Sequence, residues 1–416
     1  MPNCTFCRSA FMIEVLDFGN MALAGAFLKK SQIVTEKKYK MRLYICQKCK
    51  SLQIIDKIKP KVLFDNYFYY SSKIKTLKNH FNNYSKFLSK LITKFNFRSV
   101  LEIGCNDYVL LDPLSKKNIG LLIGVDPSIN KKNSSILGIK DYFNYSMSKK
   151  IREKFKSIDL IIANNVFAHI YNINDLTKGI RNILSTNGMF ILEVHYMKSI
   201  IKYNQFDMIY HEHIYYYSIT SLFNHFKKHD LYLFDIQHIN THGGSIRAFV
   251  SKNLDSNSKL DSYKKVLNLI TQEKKQKLFT SQTLKKFKIN TLSITNKLKK
   301  FLQSEILKNK IFAAYGASGR ANTFMQFCGF NNKLIKFIID DSSYKQGYFT
   351  PGTHIPIVSR EFLKKNHPDY IIIFAWTFLS EIIKKNIPYL MNNGTFIIPL
   401  PNTKLVTKRN FTKYLV

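Results

Sequence analysis

Acid is scarce in this chain. Against 64 Lys and Arg stand only 27 Asp and Glu over 416 residues, a formal charge of +37. Arginine is scarce within the basic set: nine residues, scattered along the chain. Proteins that read nucleic acid lean on arginine for paired contacts to bases and phosphates. The shortage favours a Lys-rich background over a nucleic-acid footprint, and no nucleic-acid partner is expected; an anionic small substrate suits the charge equally well. Long apolar runs are missing too. The most apolar stretch, residues 370–378, is too short to cross a bilayer as a helix. The opening MPNCTFCRSA has no charged segment followed by an apolar run, so no signal peptide is expected. The expectation is a soluble, cytoplasmic monomer without a membrane partner. No short tandem repeat occurs. Hydrophobic residues still make up 45%, enough for two or three ordinary cores.

Six cysteines are present, and four of them form two close pairs, Cys4-x2-Cys7 and Cys46-x2-Cys49. Each pair points two sulfurs at one ion, and two such turns complete a tetrahedral shell. A closed shell leaves no position for chemistry, so the metal expected is structural Zn2+. The bland alternative is four unrelated thiols. Cys105 and Cys328 stand alone and read as small buried hydrophobes.

Patterning divides the rest into an α/β chain. Residues 1–65 hold the cysteine pairs, a small zinc-binding domain. In residues 66–252 a helical stretch over 73–95 precedes four strand-like runs, SVLEIG, LLIGVD, DLIIANN and GMFILEVH, with helical spacing between them. That alternation predicts a parallel, Rossmann-like sheet. Residues 253–309 lack Pro and Gly and predict two amphipathic helices as a linker. Residues 310–416 repeat the alternation with KIFAAYG, LIKFIIDD, YIIIFAW and GTFIIPLP, a second Rossmann-like αβ domain.

Several motifs carry polar groups suited to chemistry. LEIGCND, residues 101–107, is a strand ending in Glu102 followed by a turn at Gly104. GVD ends the next strand in Asp126, where a carboxylate can accept from ribose hydroxyls. A plain core strand and turn would look similar. IYHEHIYYYS places Tyr210, His211, Glu212 and His213 in a row, able to supply a base, a phenol and an orienting carboxylate. A metal site or plain polar surface are the rivals there. His169, in NNVFAHI, falls just past the third strand. THGGSIR, residues 241–247, is a tight turn or a place where backbone approaches an anion. AYGASGRANT, with Arg320, opens a helix whose N-terminus attracts phosphate. The loop after Asp340 and Asp341 offers Lys345 and His354. For this half, a nucleotide site and a bare αβ domain remain equally open.

In order along the chain, the Cys quartet, YFYYSS, LEIGCND, NNVFAHI, YHEHIYYYS, THGGSIR, YGASGRANT and DDSSYKQGYFTPGTHIPI resemble the sugar C-methyltransferase family of deoxysugar biosynthesis. The resemblance covers nearly the whole chain. It implies an N-terminal zinc-binding domain, a class I methyltransferase domain and a C-terminal αβ domain that binds a nucleotide-linked keto sugar. S-adenosylmethionine is the implied cofactor, near Glu102, Gly104, Asp107, Asp126, Asn164 and Asn165. The implied reaction removes a proton at C3 of a 4-keto hexose and methylates that carbon. His213 resembles the base. Tyr210 and His169 resemble partners of the enolate or hydroxyl, and Glu212 an orienting carboxylate. One of Tyr67 and Tyr69 matches an active-site tyrosine. His242, Arg320, Asn322, Asp341, Lys345 and His354 fall to the substrate. One departure stands out: the family continues the first cofactor loop with glycine where this chain has Tyr108, which predicts crowding of the methionine moiety or a tolerated replacement. The alternatives are a nucleic-acid methyltransferase and an inactive sugar-nucleotide-binding relative.

Overall fold

The structure, a computed structural model, describes residues 2–56, 58–59, 62–63, 75–117 and 119–415. Tyr67 and Tyr69 lie outside the described residues. Among the described residues, three sheets organise the fold. The first is antiparallel and uses β1 (Met12–Ala22), β2 (Lys38–Cys46) and β3 (Leu52–Ile54).

The second sheet follows α1 (Lys75–Phe95) and has seven strands. These are β4 (Ser99–Ile103), β5 (Leu121–Val125), β6 (Leu137–Ile139), β7 (Ile158–Asn164) and β8 (Leu184–His195), then β10 (Tyr232–Ile239) and β11 (Ser245–Ser251). The intervening β9 (Tyr215–Tyr216) belongs elsewhere. The spatial order is β10-β11-β8-β7-β4-β5-β6, and β11 alone runs antiparallel to its neighbours. The apolar runs seen in the sequence are these central strands: with both faces covered, nearly every residue of β4, β7 and the C-terminal part of β8 is buried. Strand order reverses between β4 and β7, and ligand crevices open at such points beyond the carboxyl ends of the strands.

Two helices follow, α2 (Asn257–Lys275) and α3 (Ser281–Ile306), where the Pro- and Gly-free segment predicts them. They are packed elements. Glu273 of α2 is buried and accepts from the backbone amides of Ile219 and Thr220, both at 2.9 Å. These amides open the helix Ile219–Lys228, where a carboxylate is favoured. Leu284, Phe287, Leu298 and Leu302 of α3 join a core that also takes Val15 and Leu43 of the first sheet.

The third sheet comprises β12 (Phe312–Tyr315), β13 (Ile338–Ile339), β14 (Ile357–Val358), β15 (Tyr370–Ile373), β16 (Thr395–Ile398) and β17 (Lys404–Val406). Its order is β14-β13-β12-β15-β16-β17, parallel but for β17, with the reversal between β12 and β15. The helix α4 (Gly319–Phe327) starts just after β12.

One pairing departs from the sequential reading. β9, from the YHEHIYYYS segment, adds to the first sheet: Leu52 faces Tyr216 and Gln53 faces Tyr215. Position in sequence gives no hint of it. β3 offers a free edge, and an edge is satisfied by whatever strand the fold brings alongside.

Candidate active site

Both reversal points open onto one cavity of about 1350 Å³. Residues of all three sheet domains line it: Gly25 and Phe27 from the first, the ends of β4, β5, β7 and β8 from the second, the ends of β12, β13 and β15 from the third.

On the side of the second sheet, Gly104 has φ +73, and a Cβ there would meet Val166 Cγ2 at 2.0 Å. Both conditions require glycine. Asp126 directly follows β5 and accepts from Asn106 N (3.0 Å), Ser128 N (2.7 Å) and Ser128 Oγ (2.5 Å). Glu102, Asn164 and Asn165 line the same wall, whereas Asp107 does not. Burial, and next the neighbouring Asp126, holds the Glu102 carboxyl well above the usual carboxylate range. Glu102 Oε2 and both amide atoms of Asn164 are buried side by side, and apart from the weak contact between the two side chains they have no hydrogen-bond partner. A native fold seldom leaves three such atoms together unless a ligand completes them. The carboxyls, the amide and the glycine turn fit S-adenosylmethionine, which offers amino, carboxylate and ribose groups.

Tyr108 stays out of this wall. It keeps the backbone that glycine would adopt, φ +63, but its ring runs under the sheet. The ring lies where a Cβ on Gly124 or Gly138 would be: Cε1 at 2.8 Å and Oη at 2.2 Å. Two small residues on β5 and β6 admit the phenol into the core, the second of the two outcomes the sequence leaves open, a tolerated replacement of glycine.

The reactive cluster sits between the walls. His213 Nδ1 lies 3.1 Å from the Met208 carbonyl, and Nε2 lies 2.9 Å from Tyr210 Oη. A carbonyl only accepts, so Nδ1 carries the proton and Nε2 is the basic nitrogen, held by the Tyr210 hydroxyl. His169 is fixed likewise, its Nδ1 donating to the Glu212 carbonyl at 2.7 Å. The Glu212 backbone thus orients an imidazole, while its carboxylate, expected to do so, lies against the Gly25 backbone. Burial pushes that carboxyl up to about 7. Burial pushes His169 down to about 4, and pushes His213 and His195 well below the ordinary imidazole value. All three rings are therefore neutral bases near pH 7.

His195 escapes a reading of the sequence. It ends β8 at 5% exposure, with its ring 4.8 Å from that of His213 and 5.3 Å from that of His242, and its Nδ1 has no partner. The signal was present: it closes the GMFILEVH strand at its carboxyl end, as His169 follows the strand beside it. His211 turns away, 3.3 Å from the Lys40 carbonyl.

His242 lines the cavity from the turn between β10 and β11, and on the third side Arg320, Asp341 and Lys345 do so. Each cation there is matched: Arg320 with Asp207 at 2.7 Å, Lys345 with Asp340 at 3.3 Å, Lys385 with Asp341 at 2.8 Å. Asn322 and His354 are corrections. Asn322 is buried and donates to the Ala24 carbonyl at 2.5 Å, and His354 pairs with Glu36 at 2.8 Å. Both fasten the C-terminal domain to the N-terminal one and leave the cavity to others.

The four cysteines converge. Their sulfurs lie within 4.8 Å of one another, with Cys4–Cys49 at 3.7 Å and Cys7–Cys46 at 3.6 Å. A tetrahedral shell with Zn–S bonds of 2.3 Å has edges of ~3.8 Å. Free thiols at that spacing fit structural zinc.

Comparisons with known proteins agree with this layout. A zinc binding domain family matches residues 4–64, a methyltransferase domain family 77–236, and a C-methyltransferase C-terminal domain family 240–401. C-methyltransferase NovU of Streptomyces niveus is 28% identical over 412 residues, 98% of this chain and 97% of that one. Among solved structures, the plantazolicin methyltransferase BpumL, with a bound substrate analogue and SAH, is 16% identical over 44% of this chain and 87% of its own, TM-score 0.35. Magnesium protoporphyrin IX methyltransferase of Synechocystis, with SAM, is 10% identical over 42% and 79%, TM-score 0.31. Scores this low carry no argument. Among the described residues, no helix is long and apolar enough to cross a membrane.

Proposed function

We propose that the chain is a C-methyltransferase of the kind that joins a zinc-binding, a methyltransferase and a dedicated C-terminal domain, and that it methylates C3 of a nucleotide-linked 4-keto hexose; three domain matches in that order and a 28% identical relative along 98% of the chain support this. S-adenosylmethionine is the methyl donor and supplies the electrophilic carbon. His213 Nε2 takes the proton beside the ketone. The Nδ1 bond to Met208 holds the ring in the tautomer that leaves Nε2 basic. Tyr210 lies 2.9 Å from that nitrogen, and its hydroxyl is released to donate to the enolate oxygen once Nε2 has taken the proton; His169, with its own proton on Nδ1, presents an accepting Nε2 to a sugar hydroxyl. Glu102, Asp126 and Asn164 hold the donor. Arg320, Lys345 and Lys385 receive the nucleotide's phosphates by exchanging their carboxylate partners.

The observation that carries this reading is the single cavity in which a neutral, oriented imidazole faces both crevices. The test is methyl transfer from labelled S-adenosylmethionine to a panel of nucleotide-linked keto sugars. Label is expected on carbon, and His213→Ala is expected to abolish it while donor affinity stays within about three-fold. Undiminished turnover by that variant removes His213 from the base role. Label transferred to oxygen, or to RNA, overturns the reaction itself.

A further inference from the structure

The zinc quartet is remote in sequence from the base, but one buried side chain lies between them. Gln53, fully buried on β3, uses both ends of its amide. Its Oε1 accepts from Thr5 N at 3.0 Å and Thr5 Oγ1 at 2.7 Å. Because the backbone amide of Thr5 can only donate, Oε1 faces Thr5 and Nε2 faces the other way. There Nε2 reaches Cys4 Sγ at 3.2 Å and Ser51 Oγ at 2.6 Å. Thr5 Oγ1 also lies 2.9 Å from Tyr215 Oη.

Tyr215 is two residues past His213 and pairs with Gln53 across β3 and β9. The residue between, Ile214, is held from two sides: its carbonyl accepts from Ile54 N at 2.9 Å, and its amide donates to the Ala168 carbonyl at 2.7 Å. Ala168 directly precedes His169. The strand next to the thiolates therefore grips the backbone on which both imidazoles stand. A thiolate bound to zinc keeps its negative charge, and an amide N–H directed at it is a charge-assisted bond. Without the ion Cys4 Sγ is no longer pinned, and the Gln53 contact at 3.2 Å loses its fixed end.

We infer that Gln53 is a positioning residue: it couples occupancy of the thiolate shell to the placement of His213 and His169, through Thr5, Tyr215 and the β3–β9 pairing. The inference rests on the proposed chemistry only in calling His213 the base.

Its test uses the full-length zinc-loaded protein, with zinc loss to a chelating dye and amide hydrogen exchange over residues 213–217. The central strand, residues 160–163, serves as internal reference. Gln53→Leu is expected to speed zinc loss roughly 10- to 100-fold, as loss of a ligand's outer partner does, and to raise exchange at 213–217 above the reference. Thr5→Val cuts the link to Tyr215 but leaves the Cys4 contact. It is expected to leave zinc loss within about two-fold and to raise exchange at 213–217 about five-fold, the worth of one hydrogen bond. Wild type stripped of zinc is expected to show the same local rise, and all three are expected to lose kcat with S-adenosylmethionine affinity unchanged. Unaltered zinc loss in Gln53→Leu overturns the coupling, as does unaltered exchange at 213–217 in Thr5→Val or in the stripped protein. Should Gln53→Leu fail to fold, the other two arms decide alone. None of the zinc or exchange readouts needs a sugar, so a failed sugar panel with intact coupling would count against the proposed substrate only.

Discussion

At the scale of single residues, burial governs the chemistry. Desolvation lowers His213 first, and the neighbouring imidazoles of His195 and His169 lower it further. A lowered histidine stays neutral as pH falls through 6.5, so the base role proposed for His213 would persist there. Glu212, raised to about 7, ionises as pH rises through neutrality. The kcat profile should therefore show a step near pH 7 that disappears in Glu212→Gln, which should be flat from pH 8 to about 5.5. A step persisting near 6.5 in that variant would mean that His213 titrates as an ordinary histidine. His195→Leu should lower kcat roughly 100-fold at unchanged donor affinity, measured by single turnover and calorimetry; an unchanged kcat would make the ring a packing residue. Placement at the cavity was legible where a residue follows a strand end or sits in a polar row, as for Asp126 and His213. It was illegible at Asn322 and His354, whose partners Ala24 and Glu36 lie some three hundred positions away in sequence.

At the scale of elements, backbone conformation and small residues shape the donor wall. Gly104→Ala combines a left-handed backbone with a collision at Val166, and should cost about 2–4 kcal/mol and most of the donor affinity, read by denaturant unfolding and titration. Tyr108→Gly tests the opposite intuition. This change removes a buried ring and should destabilise the fold by about 2–4 kcal/mol. Donor affinity should stay within about two-fold; a large gain would show that the phenol obstructs the site. The long strands were readable because parallel strands buried on both faces are continuous apolar runs. The two-residue β9 was not, since YYY is an aromatic patch until a neighbouring edge gives it register.

At the scale of the whole molecule, the order of domains was readable from motifs, because each carries its own local pattern. Their convergence was not, because it depends on two reversal points facing one cavity. The zinc shell belongs to this scale. Cys46→Ser should reduce bound zinc from about one per chain to none and sharply lower the yield of folded protein, measured by metal analysis and circular dichroism. A well-folded, metal-free variant would show the shell to be dispensable. The insertion of Tyr215–Tyr216 beside Leu52–Ile54 also bears on inheritance. A segment that completes a sheet whose adjoining strand lies some 160 residues upstream cannot be exchanged as a cassette cut near residue 65. Chimeras that graft another relative's N-terminal piece onto this catalytic body would need to carry the 210–217 stretch with it, or leave a raw edge exposed to aggregation.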